Sequence, residues 1–208
     1  PLYSSAASDV YKRQPGSVAL LSKGDKAELG KRYLRETQNY HGGSPYFVDK
    51  MPNNFLHIGL IAQILPHAVF VDTRRHPLAC CFSIYKQNFA RGQTFSYDLE
   101  TLGHYYLSYL ELMAHWSAVL PGRIHRVIYE DMVDDTEHQI RGLLDHCGLG
   151  FEASCLSFYK NERVVRTASA QQVRKPIYDS STDAWRGVEG YLGPLTQTLG
   201  PILDDWKN

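Results

Sequence analysis

The sequence lacks most of what would send a chain to a membrane, a metal or a polyanion. It carries no net charge: Lys+Arg and Asp+Glu number 22 each. That removes any global electrostatic pull toward nucleic acid or an anionic bilayer, so anion binding must rest on local clusters. No apolar run approaches the roughly 18–20 residues of a membrane-spanning helix. Cysteine is scarce, at four residues, and Cys80, Cys81, Cys147 and Cys155 form no C-x-x-C pair, which argues against a zinc or dithiol redox centre. Internal repeats, low-complexity tracts and a Walker G-x-x-x-x-G-K-[ST] loop are also missing from the sequence. What is present is an ordinary globular composition, 43% hydrophobic and 12% aromatic over 208 residues, enough for one α/β domain with its own core. Cys80 and Cys81 fall inside an expected helix and read as small core residues, which fits a reducing, cytoplasmic setting.

The first fourteen residues, PLYSSAASDVYKRQ, show neither apolar periodicity nor a signal-peptide pattern. They read as an adapter-derived or disordered tail, with the expectation that natural sequence upstream of Pro15 is missing. The structural pattern begins at Pro15. Asp25-Lys-Ala-Glu28 carries a capping-box signature for a helix to about Tyr40, and His41-Gly-Gly-Ser-Pro45 breaks it. The stretch from Pro45 to Phe89 then organises the chain. Two short apolar runs, Pro45–Asp49 and Ala68–Thr73, predict strands, each followed by a helix, Asn54–Leu65 and Pro77–Phe89. Pro52 and Pro77 suit a first helical position, where a missing N–H costs nothing. Strand, helix, strand, helix implies a crossover and a parallel sheet.

Ser96 is expected to cap a long helix to about Leu120, whose Leu99, Leu102, Tyr106, Leu110, Met113 and Trp116 stripe reads as core. Ile124–Tyr129 predicts a third strand. Asp134–Glu137 opens another helix, which ends at Gly148. A short helix near Glu152–Tyr159 precedes a long polar segment, Asn161–Thr182, of the kind that serves as a lid or binding loop. Pro194–Trp206 predicts a closing helix. In open parallel sheets ligands bind beyond the carboxyl ends of strands. Both strand-to-helix corners are polar there: Asp49 and Lys50 at the first, Arg74, Arg75 and His76 at the second. A helix N-terminus beside cations is an anion site, so the stretch reads as the holder of a phosphorylated donor.

Four pieces in order, DKMPNNF (49–55), TRRHPLACCFS (73–83), YEDMV (129–133) and TASAQQVRKPIY (167–178) with Trp185, resemble the sulfotransferase family. The likeness is to the bacterial branch that often follows tetratricopeptide repeats and is similar to tyrosylprotein sulfotransferases, and it spans residues 45–205 within a domain at 15–208. The resemblance implies a three-layer α/β fold like the P-loop NTPases, with a central parallel sheet. It also implies transfer of a sulfuryl group from 3′-phosphoadenosine 5′-phosphosulfate (PAPS) to a hydroxyl acceptor: a protein tyrosine, a carbohydrate or a small alcohol. No metal is implied.

By the same resemblance Lys50 contacts the bridging oxygen and sulfuryl group, and Ser169 helps stabilise the transferring group. Arg75 and Ser83 grip the 3′-phosphate, Tyr129 and Lys86 lie near it, and Lys175 is near the nucleotide. Trp185 reads as a packing anchor and Arg74 as the less important arginine. The residue types suit the chemistry, because sulfuryl transfer, like phosphoryl transfer, builds negative charge on leaving phosphate oxygens and needs cations aimed at them. Two departures stand out. The family's Gly-rich loop, which cradles the 5′-phosphosulfate with backbone N–H groups, has no counterpart here, nor does its first strand. The general base is not in view either, with His41 and Glu36 as weak substitutes. Two other readings remain open: a P-loop kinase relative, for which Asp72 is the tempting strand-end acid, and a non-catalytic nucleotide- or anion-binding module.

Overall fold

The computed structural model describes residues 16–41, 43–89, 93–161, 174–177 and 183–207. It divides into two compact units, Pro1–Ala68 and Val69–Asn208, each taken by itself below.

In the first unit a single turn, α1 (Gly16–Ala19), precedes α2 (Lys23–Thr37), and a 3-10 turn at Asn54–His57 leads into α3 (Ile58–Ile64). The cap of α2 lies three residues before the predicted one. Ser22 Oγ accepts from the Asp25 N–H (3.1 Å) and Asp25 Oδ2 accepts from the Ser22 N–H (3.0 Å), so Asp25 is the third helical residue of a capping box rather than its cap. Helices α2 and α3 touch backbone to side: a Cβ on buried Gly30 would lie 2.0 Å from the Ile64 carbonyl oxygen. The strand predicted at Pro45–Asp49 is not formed. The segment has no ladder partner among the described residues. Tyr46 and Val48 are 59% and 90% exposed, so its apolar side chains gain nothing from strand alternation. Phe47 instead stacks on His41 at 3.8 Å between centroids, and Asp49 accepts a hydrogen bond from Tyr33 Oη.

The second unit runs β1 (Phe70–Arg74), α4 (Pro77–Tyr85), α5 (Leu99–Val119), β2 (Ile124–Ile128), α6 (Tyr129–Asp134), α7 (Thr136–His146) and α8 (Gly193–Leu199). The described sheet is β1 and β2 alone, parallel, with Phe70 opposite Ile124 and Arg74 opposite Ile128. The core lies among three helices: Leu78, Ala79 and Cys81 of α4, Leu102 and Tyr106 of α5, and Leu195 and Leu199 of α8, closed by Trp185 and Leu192. The predicted α5 stripe therefore faces the core, and Trp185, 5% exposed, is the packing anchor expected of it. Gly103 lets α5 and α8 approach closely, since a Cβ there would meet Thr198 Cγ2 at 2.8 Å. All four cysteines are free thiols.

Several boundaries move. Helix α5 is capped by Asp98, whose Oδ1 accepts from the Thr101 N–H at 2.7 Å, and not by Ser96, which is fully buried and donates to the Gln93 carbonyl. A carboxylate at the N-cap also meets the helix dipole favourably. Helix α4 stops at Tyr85, with Lys86 as its C-cap. The closing helix breaks at Gly200, whose φ of +51° starts a 3-10 turn, Gly200–Leu203. β1 begins at Phe70 rather than Ala68 and inverts expectation. Its buried positions are Asp72 and Arg74, while Val71 is 42% exposed.

Candidate functional site

The carboxyl ends of β1 and β2 lie side by side, and each chain turns there into a helix, α4 after β1 and α6 after β2. This second corner is where the sequence places most of its candidates. Adjacent arginines take opposite roles. Arg74 points inward: its Nε donates to Asp72 Oδ2 at 2.8 Å, and its guanidinium lies 5.5 Å from the Tyr109 ring. Tyr109 Oη donates to the other Asp72 oxygen at 2.5 Å. Burial, reinforced by the Asp72 carboxylate, pushes the Tyr109 phenol far above its ordinary pKa. Asp72 is thus enclosed by two donors, and the strand-end acid that kept a kinase-like reading open is spent on an internal ion pair.

Arg75 lies one residue beyond the end of β1. It is half-buried, with its guanidinium 5.8 Å from the Tyr129 ring. The structure therefore brings together two predicted phosphate ligands. Tyr129 itself is the first residue of α6 rather than the last of the strand, because the ladder ends at Ile128.

Beyond Pro77, helix α4 buries Pro77, Leu78, Ala79 and Cys81 and leaves Ser83 exposed. Ser83 lies roughly 9 Å along the axis from Pro77 at ~1.5 Å per residue. It shares a face with Cys80, one turn nearer the corner, and with Lys86, one turn farther. Cys80 links this face to the corner electrostatically. Burial raises the Cys80 pKa, while Arg75 pulls it down and Glu130 pushes it up, so both charges lie within reach of the thiol. Lys86 folds back over its own helix, its Nζ 4.3 Å from the Phe82 ring centroid.

Lys50 is exposed and belongs to the first unit. Lys175 is exposed in the second unit, and Ser169 lies outside the described residues. Both substitute bases have local partners: Glu36 accepts from Arg32 Nε at 2.7 Å, and His41 Nε2 meets Thr37 Oγ1 at 2.9 Å.

Two residues that motif reading passed over sit at the centre of the corner. The His76 N–H donates to Glu130 Oε1 at 2.9 Å, and the His76 ring stacks on Trp185 at 4.9 Å with Trp206 edge-on at 5.4 Å. Burial lowers the His76 pKa, against a smaller upward pull from Glu130, so the ring is neutral at pH 7. Next to them opens a cleft of about 310 Å³, lined in part by His76, Glu130, Trp185, Arg186 and Trp206. The available signal was an acid in the first turn of a helix directly after a candidate ligand.

The sequence profile of the sulfotransferase family matches residues 18–153, which include Lys50, Arg75, Ser83, Lys86 and Tyr129 but not Ser169 or Lys175. An uncharacterized protein of Aquifex aeolicus (strain VF5) is 38% identical over 170 residues, 80% of this chain and 22% of that protein. The chain thus spans about a fifth of the length of the curated relative it matches. Among solved structures, the sulfotransferase domain from the curacin biosynthetic pathway superposes with a TM-score of 0.56 at 16% identity, covering 94% of this chain and 77% of that one. At that identity the likeness is one of fold.

Proposed function

Because this chain belongs to the sulfotransferase family, we propose that its second corner holds the 3′-phosphate of PAPS in a reaction that moves the sulfuryl group to a hydroxyl acceptor. The observation that carries the reading is the pairing of Arg75 with Tyr129 at the carboxyl ends of two parallel strands. It stands one residue before the His76 N-cap of α4. A guanidinium gives forked, charge-assisted bonds to a phosphate, and the Ser83 hydroxyl on the exposed face of α4 supplies a further donor. Lys86 and Lys175 add positive charge for the nucleotide.

In the reaction, the acceptor oxygen forms a bond to sulfur as the sulfur–oxygen bond to the nucleotide breaks. The acceptor proton passes to a base, and the electron pair leaves with 3′-phosphoadenosine 5′-phosphate. Lys50 and Ser169 are proposed to stabilise charge on the transferring group and the leaving oxygen. The acceptor class stays broad: a tyrosine in a protein, a carbohydrate or a small alcohol, chosen by loops rather than by the donor corner. Upstream tetratricopeptide repeats in the natural chain and a cytoplasmic setting belong to the same proposal. Among the described residues no helix is long and apolar enough to cross a membrane.

The residues proposed here serve the 3′-phosphate end of the donor, and the sequence carries no Gly-rich loop of the family's form. The chain is therefore expected to bind 3′-phosphoadenosine 5′-phosphate weakly and not to turn over by itself. Calorimetry with that nucleotide tests the reading. Arg75→Ala is expected to weaken binding by about 10- to 100-fold, the worth of a charge-assisted hydrogen bond. Ser83→Ala is expected to weaken it by about fivefold. Unchanged affinity in Arg75→Ala refutes the assignment.

A further inference from the structure

Every rung of the β1–β2 ladder joins residues 54 apart in sequence, from Phe70 with Ile124 to Arg74 with Ile128. The backbone ladder stops there because both chains turn into helices, yet the pairing runs on for two more steps at the same offset. Arg75 meets Tyr129 through its guanidinium and ring. His76 then meets Glu130, main-chain N–H to carboxylate oxygen. A side chain has taken over where the backbone bonds end.

The chemistry of both partners suits this tie. His76 is the N-cap of α4 and Pro77 follows it, so its N–H has no intrahelical acceptor and needs a partner from elsewhere. Glu130 lies in the first turn of α6, where the helix dipole favours a carboxylate. Its second oxygen, Oε2, is buried and makes no hydrogen bond among the described residues. Leaving a buried carboxylate oxygen unmatched is costly, and such exceptions call for a reason. A glutamine in place of the acid would keep the acceptor for His76 without the buried charge.

We propose that Glu130 is a positioning residue of the donor site. It locks the β1–α4 turn to the β2–α6 junction and so fixes the separation of Arg75 and Tyr129 at which a 3′-phosphate is gripped. The proposal rests on the reading of Arg75 as a phosphate ligand and names the residue that makes that grip rigid. Without the tie the two chains diverge into their helices, and Arg75 keeps its charge but loses its aim.

The test compares two nucleotides on the same chain, 3′-phosphoadenosine 5′-phosphate and adenosine 5′-monophosphate, which differ by the 3′-phosphate. A merely structural role would lower stability and leave the ratio of their affinities unchanged in the folded fraction. Glu130→Ala is expected to cut that ratio about fivefold or more. Glu130→Asp keeps the charge at the start of α6 but draws it back by one methylene, and it is expected to do the same if Glu130→Ala does not fold. Glu130→Gln is expected to restore the ratio, because an amide oxygen still accepts from His76. A wild-type ratio in Glu130→Asp or in folded Glu130→Ala overturns the positioning role, even where Arg75→Ala abolishes discrimination. An unaltered chain that does not prefer the bisphosphate, or an Arg75→Ala that keeps the preference, overturns the phosphate reading itself.

Discussion

Removing the Asp72 carboxylate is expected to destabilise the protein more than removing the whole ion pair to which it belongs. Asp72 and Arg74 are 8% and 7% exposed, two residues apart on one face of β1. The carboxylate accepts from Arg74 Nε at 2.8 Å and from Tyr109 Oη at 2.5 Å. Asp72→Ala therefore leaves a guanidinium buried without its counter-charge and removes the acceptor of the half-buried Tyr109 hydroxyl. Breaking such a pair costs about 3–5 kcal/mol, a large share of the roughly 5–15 kcal/mol that holds a domain folded.

The double variant Asp72→Leu, Arg74→Met replaces both ions with apolar groups of similar bulk. It still removes the acceptor of the Tyr109 hydroxyl, so it is expected to cost about 1–3 kcal/mol, less than Asp72→Ala, because desolvation of the two charges offsets most of their attraction. Arg74→Met alone leaves the carboxylate buried, though still bonded to Tyr109, and should fall between. Urea unfolding followed by tryptophan fluorescence reads the series, with stability taken from midpoints at a common slope. If Asp72→Ala costs less than about 1 kcal/mol, or as much as the double variant, the ion pair is not the interaction that the geometry indicates. The result also bears on function. Of the two adjacent arginines, Arg75 rather than Arg74 is then the one whose loss should weaken nucleotide binding.

Other predictions are shorter to state. Gly103→Ala would improve helix propensity by up to ~1 kcal/mol on an exposed helix. Here the new methyl meets Thr198 at 2.8–2.9 Å, so a net loss is expected, and Thr198→Ser, which removes the clashing methyl, should recover part of it in the same unfolding assay. Burial, aided by His146 stacked at 5.1 Å, lowers the His125 pKa. The unfolded chain therefore takes up that proton first as pH falls below about 6.5. Stability should be full above that pH and decline beneath it, and His125→Phe should flatten the decline; an unchanged pH profile would exclude the pair as its source. Binding of 3′-phosphoadenosine 5′-phosphate should weaken steeply with salt if Arg75 and Lys86 meet phosphate, and an affinity flat between low and physiological ionic strength would contradict that.

Motifs located the strand-end corner more closely than sequence patterns located the ends of its elements. TRRHPLACCFS and YEDMV placed Arg75 and Tyr129 near one phosphate, and the structure sets them against each other. Their meaning depends on residue type and short spacing, both local properties. The capping signals near Ser22 and Asp98 were also local, yet each was misassigned by two or three residues. Several Ser and Asp residues compete at every helix start, and only the hydrogen bonds decide among them. The strand expected at Pro45–Asp49 failed for a different reason. A short apolar run states a capacity to pair, and here no described segment pairs with it.

By itself the sequence determined the family, through the likeness of its motifs to known members, and the helical stripe of α5, through the spacing of apolar residues along the chain. Tertiary structure alone decided which of two adjacent arginines is buried. Arg74 and Arg75 are chemically identical and differ in what the fold sets beside each one: Asp72 and Tyr109 for the first, Tyr129 for the second. It alone also joined His76 to Glu130 across 54 residues. A parallel register is set by the whole sheet and its packing, and no local pattern in either segment encodes it.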